Sequence, residues 1–151
     1  MRVILIVDRD VAKIFGVELD ESLRPLREKK PCGPILTTKP KGVPPHIQKK
    51  FIEFLDSIEC SEDYNKIASN LKRFQAIKLQ HSKYTKKMAE IARNLLLNLF
   101  GIKIEADKIR LLRAKLGGNY RVTFGFASDE GGEIRIFILI VEAGSREGYY
   151  K

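Results

Sequence analysis

Arg113 and Lys115 alternate within KIRLLRAKLGG, and on an extended strand that spacing turns both side chains to one face. Arg121 follows a Gly117-Gly118-Asn119 turn, beside Tyr120. Further along comes Gly144-Ser145-Arg146-Glu147-Gly148-Tyr149-Tyr150. If these strands form an antiparallel meander, Arg113, Lys115 and Arg121 share one patch. The end of the third strand then adds Arg146 and a tyrosine. Such a cluster holds no carboxylate or histidine pair for ordinary acid–base work. It suits a phosphodiester, whose in-line displacement is stabilised by fixed positive charge. The same residues also suit a solvated basic edge that keeps the sheet from pairing with another. Residue type and spacing leave both readings open.

Other familiar chemistries are missing from the sequence. It has no Walker A loop, no G-x-G-x-x-G, no Ser-x-x-Lys and no G-x-S-x-G. His46 and His81 stand apart from other ligand types, so neither a metal nor a cofactor is expected. Cys32 lies in a Pro/Gly-rich stretch with basic neighbours and reads as a plain thiol. With Cys60 as the only other cysteine, a structural zinc site is not expected. The expected state is a reduced, cytoplasmic protein.

Several elements must position the basic residues. Residues 3–7 form an apolar run that reads as a buried strand. Asp8 or Asp10 can cap a short helix over 11–15 that Gly16 ends. Residues 17–44 carry Pro25, Pro31, Pro34, Pro40 and Pro44 and read as a long irregular surface segment. Pro45 suits a first helical position, and Ile47, Phe51, Phe54 and Ile58 make an apolar stripe. Ser61 is the expected cap of a second helix, with Glu62 and Asp63 in its first turn and a stripe of Tyr64, Ile67, Leu71, Phe74 and Ile77. Ser82 opens a third, with Tyr84, Met88, Ile91, Leu95 and Leu99 on one face and Gly101 as its stop. The second and third can also be one bent helix. After Gly101 the period changes to that of strands, with a second turn at 128–132 and aromatic residues Tyr120, Phe124 and Phe126 that suit a core. The run 136–141 is apolar on both faces, so its strand should be central. The fold class expected is α+β in a single domain over 1–151. An N-terminal strand precedes two to three helices and a three-stranded antiparallel meander, with the helices packed on one face of the sheet.

The 151 residues carry 28 Lys+Arg and 19 Asp+Glu, a net charge of +9. The excess is blocked: +6 over 29–50, +7 over 66–87 and +5 over 108–121. Blocks without compensating acids point to a polyanion, most simply nucleic acid. Lys66, Lys72, Arg73, Lys83, Lys86, Lys87, Lys108 and Arg110 are the candidate nucleic-acid-binding residues. No apolar run approaches the ~18 residues of a membrane span, and MRVILIVDRD is too short and too soon charged for a signal peptide. Plentiful Lys and Glu with scarce Gln suggest a thermophilic source.

Residues 108–151 resemble the RelE/ParE toxin superfamily of type II toxin–antitoxin systems. The likeness rests on the basic strand with Arg113 and Lys115, on Tyr120-Arg121-Val122 and its aromatic strand, and on the acidic turn at Asp129-Glu130. The β-branched run 134–141 and the closing Gly144, Arg146 and Tyr150 complete it, with residues 1–7 as a looser match to the family's first strand. The RelE branch cleaves ribosome-bound mRNA and pairs with a neutralising antitoxin. By resemblance, Arg121 holds the phosphate, Arg113 and Lys115 neutralise developing charge, Arg146 assists the leaving group, and Tyr150 stacks on or orients the nucleotide. The implied partners are mRNA, the ribosome and a cognate antitoxin, with no membrane. The chain is longer than typical members, and residues 16–44 and one of the helices have no counterpart. The alternatives are a non-catalytic basic nucleic-acid-binding protein, and a ParE-like protein that binds a protein target.

Overall fold

The computed structural model describes residues 2–30, 32–61, 63–129 and 135–145. Strand β1 (Arg2–Val7) is the first apolar run. The Asp8 carboxylate accepts the Asp10 N–H (3.1 Å) and opens α1 (Arg9–Phe15), which Gly16 closes in the left-handed conformation. Helix α2 (Pro45–Glu59) starts on its proline and buries Ile47, Phe51, Phe54 and Ile58, as the stripe predicts. Helix α3 (Tyr64–Arg73) is capped by Asp63, which accepts the Lys66 N–H (2.8 Å). Ser61, the expected cap, instead donates its hydroxyl to the Ser57 carbonyl.

Two residues, Ile77–Lys78, then form the edge strand β2. Helix α4 (Lys83–Phe100) begins with a reciprocal Ser82–Thr85 capping box and ends at left-handed Gly101. A single 3-10 turn (Ala106–Lys108) leads into β3 (Arg110–Gly117), β4 (Tyr120–Asp129) and β5 (Arg135–Ser145). The five strands lie in the order β1-β5-β4-β3-β2. The expected antiparallel β3-β4-β5 meander is the centre of this sheet. Its flanks were not expected: β1 joins β5 in parallel, and β2 pairs antiparallel to β3.

Helices cover both faces of the sheet, which corrects the one-face arrangement. Helices α1, α2 and α3 pack on Leu5, Ala114, Val122, Phe124, Ile138 and Ile140. Helix α4 packs on the other side, against Ile4, Ile6, Leu111, Phe137 and Leu139. The reason lies in β5, whose consecutive residues 136–141 are all buried, so both of its faces need an apolar cover. Helices α3 and α4 therefore cannot be one bent helix. The chain turns out of α3 at Phe74 and Gln75 (φ 53°), crosses the sheet edge as β2, and re-enters on the opposite face.

Residues 17–44 are irregular but anchored. Val17, Leu23 and Ile35 are buried, and the Leu23 carbonyl accepts the Val7 N–H. Arg27 reaches under the segment to Glu59 (Nε–Oε1 2.5 Å), Asp56 (NH1–Oδ1 2.8 Å) and the Gly33 carbonyl (2.9 Å). Burial works to lower the Arg27 pKa, and the bonds and charges of Glu59 and Asp56 overcome it, so the net shift is upward. Beside this pair, Cys32 and Cys60 form a disulfide with their Cα atoms 5.7 Å apart, which corrects the expected free thiols. A disulfide does not by itself point to export, because intracellular proteins of hyperthermophiles are rich in them.

Candidate functional site

Register brings the three basic residues of the meander together. Lys115 lies directly opposite Arg121, and Arg113 opposite Thr123. Residues i and i+2 share a face, so all four sit on the α4 side of the sheet, at its hairpin end. The hairpin turn is tight: Gly117 pairs with Tyr120, and positive φ at Gly117 (108°) and Gly118 (55°) makes the reversal. On the third strand the register shifts by one residue. Thr123 faces Glu142 while Phe124 faces Ile140, so Val141 is the extra residue of a bulge. That bulge brings the Glu142 carboxylate to the same face as Thr123.

Helix α4 supplies the remaining member. Tyr84, in its first turn, shares a 2.8 Å hydrogen bond with the hydroxyl of fully buried Thr123. The Arg113 guanidinium lies 5.7 Å from the centre of the Tyr84 ring, a cation–π contact. Burial raises the Tyr84 pKa; the Thr123 bond opposes this, Glu142 adds to it, and Arg113 opposes it, with an upward net shift. Tyr84 is therefore a phenol that keeps its proton and can donate it to a hydrogen bond. Sequence reading placed Tyr84 only in an apolar stripe and passed over Thr123 and Glu142. The β-period can place Thr123, but the bulge at Val141 leaves no local signal.

The cluster is half open to solvent. Arg113 and Arg121 are half-buried and Lys115 is exposed. Lys115 also borders a groove of about 690 Å³ lined by Lys50, Arg73 and Gly118. Arg73 stacks over the Phe74 ring at 5.1 Å. Of the other candidate binding residues, Lys66 and Lys72 are exposed on α3, across the sheet from the cluster, and Lys83 and Lys87 are exposed on α4. Lys86, Lys108 and Arg110 line a separate cleft at the start of β3. Arg146 and Tyr150, and most of the turn at 128–132, lie outside the described residues.

The arrangement offers three cations, one carboxylate and one phenol around a strand end. It can hold an anionic oxygen in two or more charge-assisted contacts. Among the described residues no group of three His, Cys, Asp or Glu side chains is placed to hold a metal ion. Tyr120, Phe124 and Phe126 pack with the α1–α3 core and are not presented for base stacking. No helix among the described residues is long and apolar enough to cross a membrane. No family model, no curated protein and no solved structure matches the chain.

Proposed function

We propose that this protein binds RNA at the hairpin end of its sheet and cleaves it there, as a RelE-like endoribonuclease acting on ribosome-bound mRNA. One observation carries the reading: Lys115 and Arg121 are paired across β3 and β4, with Arg113 on the same face. In this reading Arg121 and Lys115 grip the non-bridging oxygens of one phosphodiester. The ribose 2′-hydroxyl attacks phosphorus and gives its proton to water, the bond to the 5′-oxygen breaks and that oxygen takes a proton from water, leaving a 2′,3′-cyclic phosphate and a 5′-hydroxyl, while Arg113 offsets the charge that accumulates. Tyr84 holds Arg113 in place and keeps its own proton. Fixed charge of this kind can supply several kcal/mol, and loss of one donor costs about 3–4 kcal/mol. A cognate antitoxin that covers the basic cluster completes the proposal.

The test is expression without a partner, together with ribosomes and mRNA in vitro. Wild type should arrest growth and create new mRNA 5′ ends. Arg121→Ala and Lys115→Ala should each slow cleavage by about 10²-fold or more while the melting temperature holds. Wild type that causes neither arrest nor cleavage rejects the nuclease. A second reading, non-catalytic RNA binding, draws on the commitment of Arg113 to the Tyr84 ring, which gives that cation a structural role. Its signature is salt-sensitive binding of RNA that stays intact.

A further inference from the structure

A larger cleft lies beyond this cluster, between the first half of α4, the β2–α4 connection, the 3-10 turn and the start of β3, with a volume of about 970 Å³. That size matches small-molecule and cofactor sites, which run to about 1,000 Å³. Leu79, Ala89, Ile109 and Leu111 give it an apolar floor. Its rim carries Lys78, Lys86, Lys108 and Arg110, all exposed. None of these four forms an ion pair with a carboxylate among the described residues. Of the two acids at the rim, Glu90 is paired with Arg93 at 2.9 Å, which leaves Asp107 against four cations. Gln80 and His81 add neutral hydrogen-bonding groups beside the floor.

An apolar floor beneath uncompensated cations fits a ligand with a flat, weakly polar body and an anionic end. We infer that this cleft binds a nucleoside phosphate, with the base over Leu79, Ile109 and Leu111 and the phosphate among Lys86, Lys108 and Arg110. The same chemistry is met by a free nucleotide and by one unit of an RNA strand. Continuity with the cluster favours neither source but links the two sites. Leu111 in the cleft and Arg113 in the cluster are two residues apart on β3, about 7 Å. The inference goes beyond the cleavage reading, since a nucleotide can occupy the cleft whether or not the hairpin end cuts RNA.

The full chain is titrated calorimetrically with adenosine monophosphate, adenosine, inorganic phosphate and a short single-stranded RNA. Each titration is repeated on Lys86→Gln/Lys108→Gln and on the charge-matched control Lys29→Gln/Lys30→Gln. All four side chains are exposed, so both variants should fold, and thermal melts verify it. The expected result is saturable adenosine monophosphate binding, tighter than that of adenosine or phosphate, weakened about tenfold by the cleft pair and unchanged by the control. Pair-dependent binding of the RNA alone also supports the cleft and identifies the strand as its source. The inference is overturned if neither ligand responds to the cleft pair more than to the control, or if phosphate competes as well as the nucleotide. RNA cleavage is scored in parallel: intact RNA with pair-dependent nucleotide binding rejects the nuclease and keeps the cleft.

Discussion

The Tyr84 hydroxyl bonds to Thr123 at 2.8 Å and lies in the fields of both Glu142 and Arg113. Removing only that hydroxyl, in Tyr84→Phe, keeps the ring under Arg113 and should cost about 1 kcal/mol in denaturant unfolding. The raised pKa has a second consequence. Above about pH 10 an unfolded tyrosine loses its proton while Tyr84 in the folded chain retains it. The folded state then binds more protons, so stability falls as pH rises through the Tyr84 pKa. Stability curves of wild type and Tyr84→Phe should therefore converge above pH 10, and parallel curves would contradict the raised pKa. Arg27 is the other residue on which much depends, with only 4% of its side chain exposed. Arg27→Met leaves the Glu59 carboxylate, itself 10% exposed, with only Arg24 at 3.9 Å as an ion-pair partner among the described residues. That should cost about 3 kcal/mol or more, and Arg27→Met/Glu59→Met should recover most of it. Full additivity in that double-mutant cycle would show the pair to be uncoupled.

At the scale of elements, the segment 17–44 is held to α2 and its C-cap by the Arg27 ion-pair cluster, the Cys32–Cys60 disulfide and the Gln48 side chain, which donates to the Thr38 carbonyl (2.9 Å). Cys32 and Cys60 are 28 positions apart. Closing a loop of that length is worth about 3–4 kcal/mol on the chain-entropy account. Reduction, or Cys60→Ser, should lower the melting temperature by about 10 °C. Proteolysis should then begin within 17–44 and spare the sheet. An unchanged melting curve under reductant would mean that Arg27 and the buried Val17, Leu23 and Ile35 suffice. Helix α4 depends on a close approach instead. A β-carbon at Gly125 would meet the Ile109 Cγ2 at 3.0 Å and the Ala92 Cβ at 3.4 Å. Gly125→Val should push α4 off the sheet and cost about 1–3 kcal/mol, read by chemical denaturation. The small residues Ala89 and Ala92 face the sheet, while Ile91, Leu95 and Leu99 flank them, half-buried. The apolar stripe of α4 was legible in part: its buried face runs through Met88, Ala89, Ala92 and Leu96, of which the stripe held Met88, and Ala92 is the small residue that lies above Gly125.

For the molecule as a whole, the +9 charge should make the proposed RNA binding fall steeply with salt. A slope of about 0.7 in log K per log salt is expected for each phosphate contacted on a single strand. Lys115→Gln should reduce that slope by about 0.7 in filter-binding titrations, and a slope untouched by it would remove Lys115 from the interface. By itself the sequence determined what is local and periodic: the β3–β4 hairpin at Gly117-Gly118-Asn119, the cap Ser82, the choice of Asp8 or Asp10 as the first cap, the α2 stripe, and the shared face of Arg113 and Lys115. These follow from alternation, helical period and turn chemistry within a few residues. The doubly apolar β5 already implied a cover on both faces, a consequence that was open to be read. Only the tertiary structure decided the rest. The parallel β1–β5 pairing, the two-residue β2 and the Cys32–Cys60 bond join distant positions that carry no periodic mark. The meeting of Tyr84, Arg113, Thr123 and Glu142 is of the same kind. It needs a helix crossing the sheet edge and a bulge at Val141, both set by how the layers pack.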